Sequence, residues 1–280
     1  MDIRYSANPV DVIGYATQDL RDEFLITDLY KPDSVVSVYS HSDRLLVLGI
    51  MPINEVVPIS KDMDILGSFG TEYFLERREV GIFNLGDTGV CIVDGKEYTL
   101  GNKDSIYITR GAVEVVFKSV NPKSPARFYG ISAPAHRACE TKLITLDDAI
   151  KIPMGGSEAA NKRVIYQFIH PDVVETCQLV MGMTCLEQGS VWNSMPTHMH
   201  ERRTEVYTYF DLPEENAVFH LMGEADQTRH LVMKNGEAVI SPSWSLHAGC
   251  GTVNYSFIWA MGGENQNFAD MDGIKTSDLR

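Results

Sequence analysis

From Ser34 onward the chain is written in short runs rich in valine, isoleucine, tyrosine and phenylalanine, punctuated by glycine and aspartate. The first set is Val35–Tyr39, Arg44–Ile50, Val80–Asn84, Val90–Val93, Ser105–Ile108, Val113–Phe117 and Arg127–Ile131. The second is Arg163–Phe168, Cys177–Cys185, His198–His200, Glu205–Phe210, Ala217–Leu221, His230–Met233, Ala238–Ile240 and Ser256–Met261. Such a rhythm predicts an all-β sandwich or barrel, and Asp94-Gly95 marks a tight hairpin. Helical pattern is confined to Gln18–Phe24 and to Leu146–Ile150, the latter opened by the Thr145 cap signal. Between Ala133 and Lys162 the rhythm breaks at Pro134, Pro153, Gly155-Gly156 and Ser157. With 280 residues, two domains are expected: 1–140, a crossover at 141–162, and 163–280.

A repeat spans that break. Glu76-Arg77-Arg78-Glu79-Val80 answers Glu201-Arg202-Arg203-Thr204-Glu205-Val206, and Lys103–Ile108 answers Gly236–Ser241. On this alignment Glu114 falls where His247 falls. The first copy has no histidines at the positions of His198 and His200, so one domain is expected to be structural and the other chemical.

The chemistry gathers in the second copy, where His198-Met199-His200 precedes Glu205, and His247 follows Ser241-Pro242-Ser243-Trp244. Alternate residues of a strand share a face, so His198 and His200 both turn inward if they lie on one strand. Glu205 has the wrong parity, which requires an irregular step at Arg202-Arg203-Thr204. Tyr207 and Tyr209 then share its inward face. Three imidazoles and one carboxylate without thiolate form a site for zinc, iron, manganese or nickel. A lone His-x-His is an ordinary surface pair; the four-part set is the specific signal.

Bulk properties narrow the partners. A net charge of −14 argues against nucleic acid or an anionic membrane, both of which call for a cationic face. Five widely spaced cysteines with no Cys-x-x-Cys pair read as reduced thiols of a cytoplasmic protein. The N-terminal residues Met1–Ser6 lack the basic and apolar segments of a secretory signal, and no run is apolar and long enough to span a bilayer.

His-x-His, then Glu, then a distant His in a duplicated β-chain resembles the cupins, here a bicupin of two tandem jelly-roll barrels. Phe74–Glu79, Cys177-Gln178-Leu179, His198–Arg203, Val239–Ser245 and Gly263-Glu264-Asn265-Gln266 together resemble the 5-keto-4-deoxyuronate isomerase family. The spacing around Trp192–Pro196 departs from the general cupin pattern but not from that family. The resemblance implies a cytoplasmic homohexamer that isomerises a small uronate from pectin breakdown with one zinc per chain, although iron or manganese would suit the same donors. It also implies that His198, His200, Glu205 and His247 hold the metal.

An aldose–ketose isomerase passes through an enediol whose oxyanion needs stabilisation, and a proton must be moved by a group within hydrogen-bond reach. Tyr207, Tyr209 and His220 are candidates, and a hydroxide on the metal would serve equally. The substrate carboxylate calls for an arginine fork: Arg202 first by its parity with His200, Arg163 second. Arg203 is expected to face solvent or pair with an acid, and His41, His136, His170 and His230 to be ordinary strand or loop residues. The rival readings are a metal-dependent cupin oxygenase and a non-catalytic sugar-binding cupin.

Overall fold

A computed structural model describes residues 1–280. Its packing separates into two units, one of 1–4, 28–149 and 168–180, the other of 5–27, 150–167 and 181–280. In the first unit a seven-stranded sheet runs in the order Asp2–Arg4, Val35–Ser40, Leu46–Ile50, Phe128–Pro134, Arg78–Asn84, Ser105–Ile108, Lys142–Ile144. A four-stranded sheet of Val57–Pro58, Val115–Ser119, Gly89–Val93 and Lys96–Leu100 completes it. Leu46, Leu48, Ile82 and Ile106 from the large sheet join Val57, Cys91, Val93 and Phe117 from the small one in a single buried cluster. That interior is the product of inward alternation on both sheets.

The second unit repeats the order. Its large sheet runs Ile150–Met154, Arg163–Ile169, Val180–Leu186, Ser256–Gly263, Arg203–Phe210, Ala238–Ser241, Leu25–Ile26. Its small sheet runs Arg229–Met233, Val218–Met222, His247–Gly251, Trp192–Met199, Asp272–Gly273. The chain is therefore all-β with a duplicated strand plan, as the runs and the repeat require. Asp94 and Gly95, both at positive φ, form the two-residue turn between Gly89–Val93 and Lys96–Leu100. The expected helix at Gln18–Phe24 is present as Thr17–Phe24.

Three local expectations are corrected. The segment expected as a crossover at 141–162 carries two strands, Lys142–Ile144 and Ile150–Met154, which pair in different sheets. Leu146–Ile150 is not a helix: Asp148 bonds both the amide and the hydroxyl of Thr145, closing one turn, and Ile150 then opens a strand. The strand expected from Cys177 begins only at Val180. The cause is Glu79, fully buried, whose carboxylate accepts the amides of Cys177, Gln178 and Leu179 at 2.7, 2.8 and 2.8 Å and the Tyr107 hydroxyl at 2.7 Å. Amides spent on a carboxylate are not available to a ladder.

Candidate metal centre

The chain reaches the site along Trp192–Met199 in the small sheet, turns at Glu201-Arg202 with the Arg203 amide donating to the His200 carbonyl at 2.9 Å, and leaves along Arg203–Phe210 in the large sheet. The parity problem of Glu205 is thus solved by a change of sheet rather than by a bulge within one strand. His198 pairs directly with His247 across the small sheet, while Glu205 comes from the large one. The donor atoms of His198, His200, Glu205 and His247 all lie within 4.8 Å of one another. Glu205 Oε2 is 2.9 Å from Nε2 of both His200 and His247, and the Nε2 atoms of His198 and His247 are 3.2 Å apart.

The surroundings of His247 and His200 indicate which nitrogen of those two rings faces the cluster. Ser241 Oγ lies 3.4 Å from the Ser245 carbonyl, its acceptor, and 3.1 Å from His247 Nδ1, so its lone pairs take the Nδ1 proton. His200 Nδ1 lies 2.9 Å from the Asp270 carbonyl, an acceptor only. Both rings then present bare Nε2 lone pairs to the cluster. The fully buried Glu205 Oε2 has no hydrogen-bond partner. Lone pairs converging on an unpartnered buried carboxylate repel one another unless a cation stands between them, so the donor set fits a divalent metal ion. Burial and the neighbouring His247 hold His198 near pKa 3, leaving it neutral as a ligand must be. Burial works to raise Glu205, but a proton held on the facing His247 or His200 nitrogen when no ion is there outweighs it and keeps the carboxyl well below its ordinary range, so the carboxylate calls for positive charge at the place an ion would take.

A cavity of about 310 Å³ opens on this group. Phe257, Trp259 and Met261, alternate residues of Ser256–Gly263, form much of its wall with Met154, Phe268 and Met271. Arg163, Thr184, Asn193, Ser194 and Tyr207 supply polar groups. No carboxylate or imidazole outside the four clustered residues lines it.

The other expected site residues divide sharply. Tyr207 lines the cavity, and burial raises its phenol well above the ordinary value, so it keeps its proton. Tyr209 and His220 do not reach the cavity: the Tyr209 hydroxyl sits 2.8 Å from His220 Nδ1, and both are buried. Burial also lowers His220 to about 3, so this is a neutral interior pair. Arg163 lines the cavity, whereas Arg202 does not. The Arg202 guanidinium is taken by Asp270, at 2.6 Å from Oδ1, and by Asp272 at 2.9 Å, which corrects the expectation that it meets the substrate. Arg203, expected to face solvent or pair with an acid, is buried on backbone carbonyls instead: it donates to those of Asn267 and Asp270 and lies 3.1 Å from His200 Nδ1. Sequence reasoning misses the role of 267–272, the segment these arginines hold, because nothing in its composition ties it to His200. The alternation of Phe257, Trp259 and Met261 is a legible signal for the cavity wall.

The ladder also corrects the repeat. Val80 pairs with Ile108 and Ser132 as Glu205 pairs with Ser241 and Met261, so Val80, not Glu79, stands at the position of Glu205. Ile59 donates its amide to Val115, the pair corresponding to His198 and His247. Glu114 is one residue out of step, and exposed.

The sequence profile of the KduI/IolB family matches residues 67–275. The chain belongs to that family. It is 50% identical over 281 residues to the 4-deoxy-L-threo-5-hexosulose-uronate ketol-isomerase of Halalkalibacterium halodurans, covering 100% of both chains. The enzymes of the same name from Dickeya dadantii and Escherichia coli strain SE11 are 49% and 48% identical over 280 residues, again covering 100% of each chain. Kinship over the whole chain places it among the ketol-isomerases, a class of intramolecular oxidoreductase. Among solved structures, an IolB-like protein from Salmonella typhimurium superposes with a TM-score of 0.72 at 12% identity, over 90% of this chain and 96% of that one. An oxalate decarboxylase from Lactobacillus farciminis gives 0.54 at 9% identity, over 83% of this chain and 79% of that one. At such identities the likeness concerns the fold, which is the cupin architecture expected above. No helix is long and apolar enough to cross a membrane.

Proposed function

We propose that this protein is a zinc-dependent isomerase converting 5-dehydro-4-deoxy-D-glucuronate, that is 4-deoxy-L-threo-5-hexosulose uronate, to 3-deoxy-D-glycero-2,5-hexodiulosonate in pectin breakdown. The observation that carries the proposal is the coincidence of two facts: relatives of that name match end to end, and a buried three-histidine, one-glutamate group faces a cavity of about 310 Å³. His198, His200, Glu205 and His247 would hold the ion, which when bound supplies Lewis acidity toward a carbonyl oxygen. Zinc suits a donor set of nitrogen and carboxylate oxygen that needs no redox change.

The reaction moves one hydrogen from C2 to C1 and one proton from the C2 oxygen to the C1 oxygen, with no net oxidation. Tyr207 keeps its phenolic proton and has no hydrogen bond in the protein, so it serves as a donor to a substrate oxygen that gains charge, not as a base. The apolar wall of Phe257, Trp259 and Met261 excludes water from the reacting carbons. Ser241 and the Asp270 carbonyl keep His247 and His200 in the ligating tautomer. We assign the protein to the cytoplasm as a homohexamer, in keeping with its five free cysteines and the family resemblance.

The test is anaerobic turnover of freshly generated substrate followed by NMR, before and after chelation and zinc restoration. Conversion to the diulosonate that is lost with the metal and regained with zinc is expected. Failure of zinc-replete protein would overturn the proposal, and oxygen uptake by the iron-loaded protein would favour an oxygenase instead.

A further inference from the structure

Arg163 is the only cationic side chain on the cavity, and the protein leaves it largely unspent. Its residue is 8% exposed. Nη1 donates to the Asn161 carbonyl at 2.8 Å, but the buried Nε has no partner and Nη2 makes no hydrogen bond. No acidic side chain stands against it, and burial lowers its pKa with only the neutral phenols of Tyr255 and Tyr207 nearby. A buried guanidinium without a carboxylate is costly, and in a chain with 38 acidic residues the want of a partner is not for lack of candidates. Arg203 also leaves its Nε without a partner, but it and Arg78, the other two buried arginines, each spend two nitrogens on the protein where Arg163 spends one. Arg78 donates from Nε and Nη2 to Ser132 and the Arg44 carbonyl, and Arg203 from both Nη atoms to the carbonyls of Asn267 and Asp270.

We infer that the Nε–Nη2 edge of Arg163 is the carboxylate subsite of the cavity, binding the uronate carboxylate bidentately and so placing the opposite end of the sugar toward the metal-ligand group. This deepens the isomerase reading and rests on it for the substrate, but the subsite itself can be tested without turnover. The planar edge of an arginine matches two carboxylate oxygens, whereas a lysine offers a single point charge. Nη1 remains on Asn161, which ties the carbonyl side of the 155–161 loop to the same guanidinium. The subsite therefore discriminates sugar acids from neutral sugars of the same size.

Two measurements on the zinc-loaded protein decide the matter. The first is titration of intrinsic fluorescence, to which Trp259 in the cavity wall contributes, with galacturonate and with galactose. Wild type should respond to the acid and not to the neutral sugar, and Arg163→Gln should lose the distinction. The second compares turnover of the 5-ketouronate with that of its C6 primary alcohol. Wild type should prefer the acid by about 100-fold in kcat/KM, with Arg163→Gln raising KM for the acid by a similar factor while leaving the alcohol unchanged. Arg163→Lys keeps a donor for Asn161 and should recover part of the preference, which covers the case in which the Gln variant fails to fold. Equal responses to the two sugars, or an equal loss on acid and alcohol in a folded, metal-loaded variant, would overturn the inference. Should wild type turn over neither compound, the isomerase reading falls, while the galacturonate comparison still decides whether Arg163 binds a carboxylate.

Discussion

The two units carry one strand plan and fill it in opposite ways. At three corresponding inward positions the first has Ile59, Val80 and Val115, all buried in its apolar cluster, and the second has His198, Glu205 and His247. Each aliphatic side chain buried in this way stabilises its unit by about 1.5–3 kcal/mol, and no ligand is needed for it to do so. Each imidazole or carboxylate in the same place gives up hydration and recovers it only through a shared cation. The same ladder thus makes a self-sufficient core when its inward residues are apolar, and a metal-dependent one when they are donors.

The comparison breaks first at Glu205. Glu205→Gln turns an anionic donor into an amide whose NH2 meets two imidazole lone pairs, so metal content and turnover should fall together, turnover by about a thousandfold. Metal analysis beside the NMR assay checks this; full activity with a metal-free Gln variant would show the cluster to be idle. The converse substitution, Val80→Glu, places a carboxylate where Ile59 and Val115 offer no donor, and should destabilise the protein by about 3 kcal/mol or more without adding a second metal. Urea unfolding reads the first effect and metal stoichiometry the second. A smaller effect is expected at Ser241, the counterpart of Ile108: Ser241→Ala removes the acceptor that fixes the His247 tautomer, and metal affinity should weaken by about 10–100-fold, as is usual for such partners. An unchanged zinc dissociation constant by competition with a chelator would mean that the backbone alone orients the ring.

Much of this is legible in the sequence because the signals are periodic. Short β-branched runs with glycine and aspartate turns mark the sheets, and the spacing of His198, His200, Glu205 and His247 marks the donor set. What is not legible depends on which sheet a residue belongs to. Parity counted along one strand cannot register that the chain changes sheets at Glu201-Arg202, and that change is what turns Glu205 inward. Aligning the two Glu-Arg-Arg motifs sets Glu79 near Glu205, although Glu79 is engaged with the amides of 177–179 and the inward residue is Val80. The fates of Tyr209, His220 and Arg202 are decided by partners on other strands and loops, which no local pattern encodes.

The arginine pair gives the finest test of the parallel. Arg78 and Arg203 are both buried and donate to carbonyls, whereas Arg77 and Arg202 are outward members whose side chains are 64% and 36% exposed and paired with acids. Exposed ion pairs contribute little, so Arg77→Ala should cost under about 1 kcal/mol in unfolding experiments. Arg202→Ala should cost the same or slightly more, since Asp270, which it grips, also offers its carbonyl to His200. A modest loss of zinc affinity is the expected result, with the Michaelis constant held within about threefold. If the Michaelis constant instead rose about 100-fold at constant metal content, Arg202 would return to the substrate and the distinction between the outward arginines of the two units would be one of function as well as of partner.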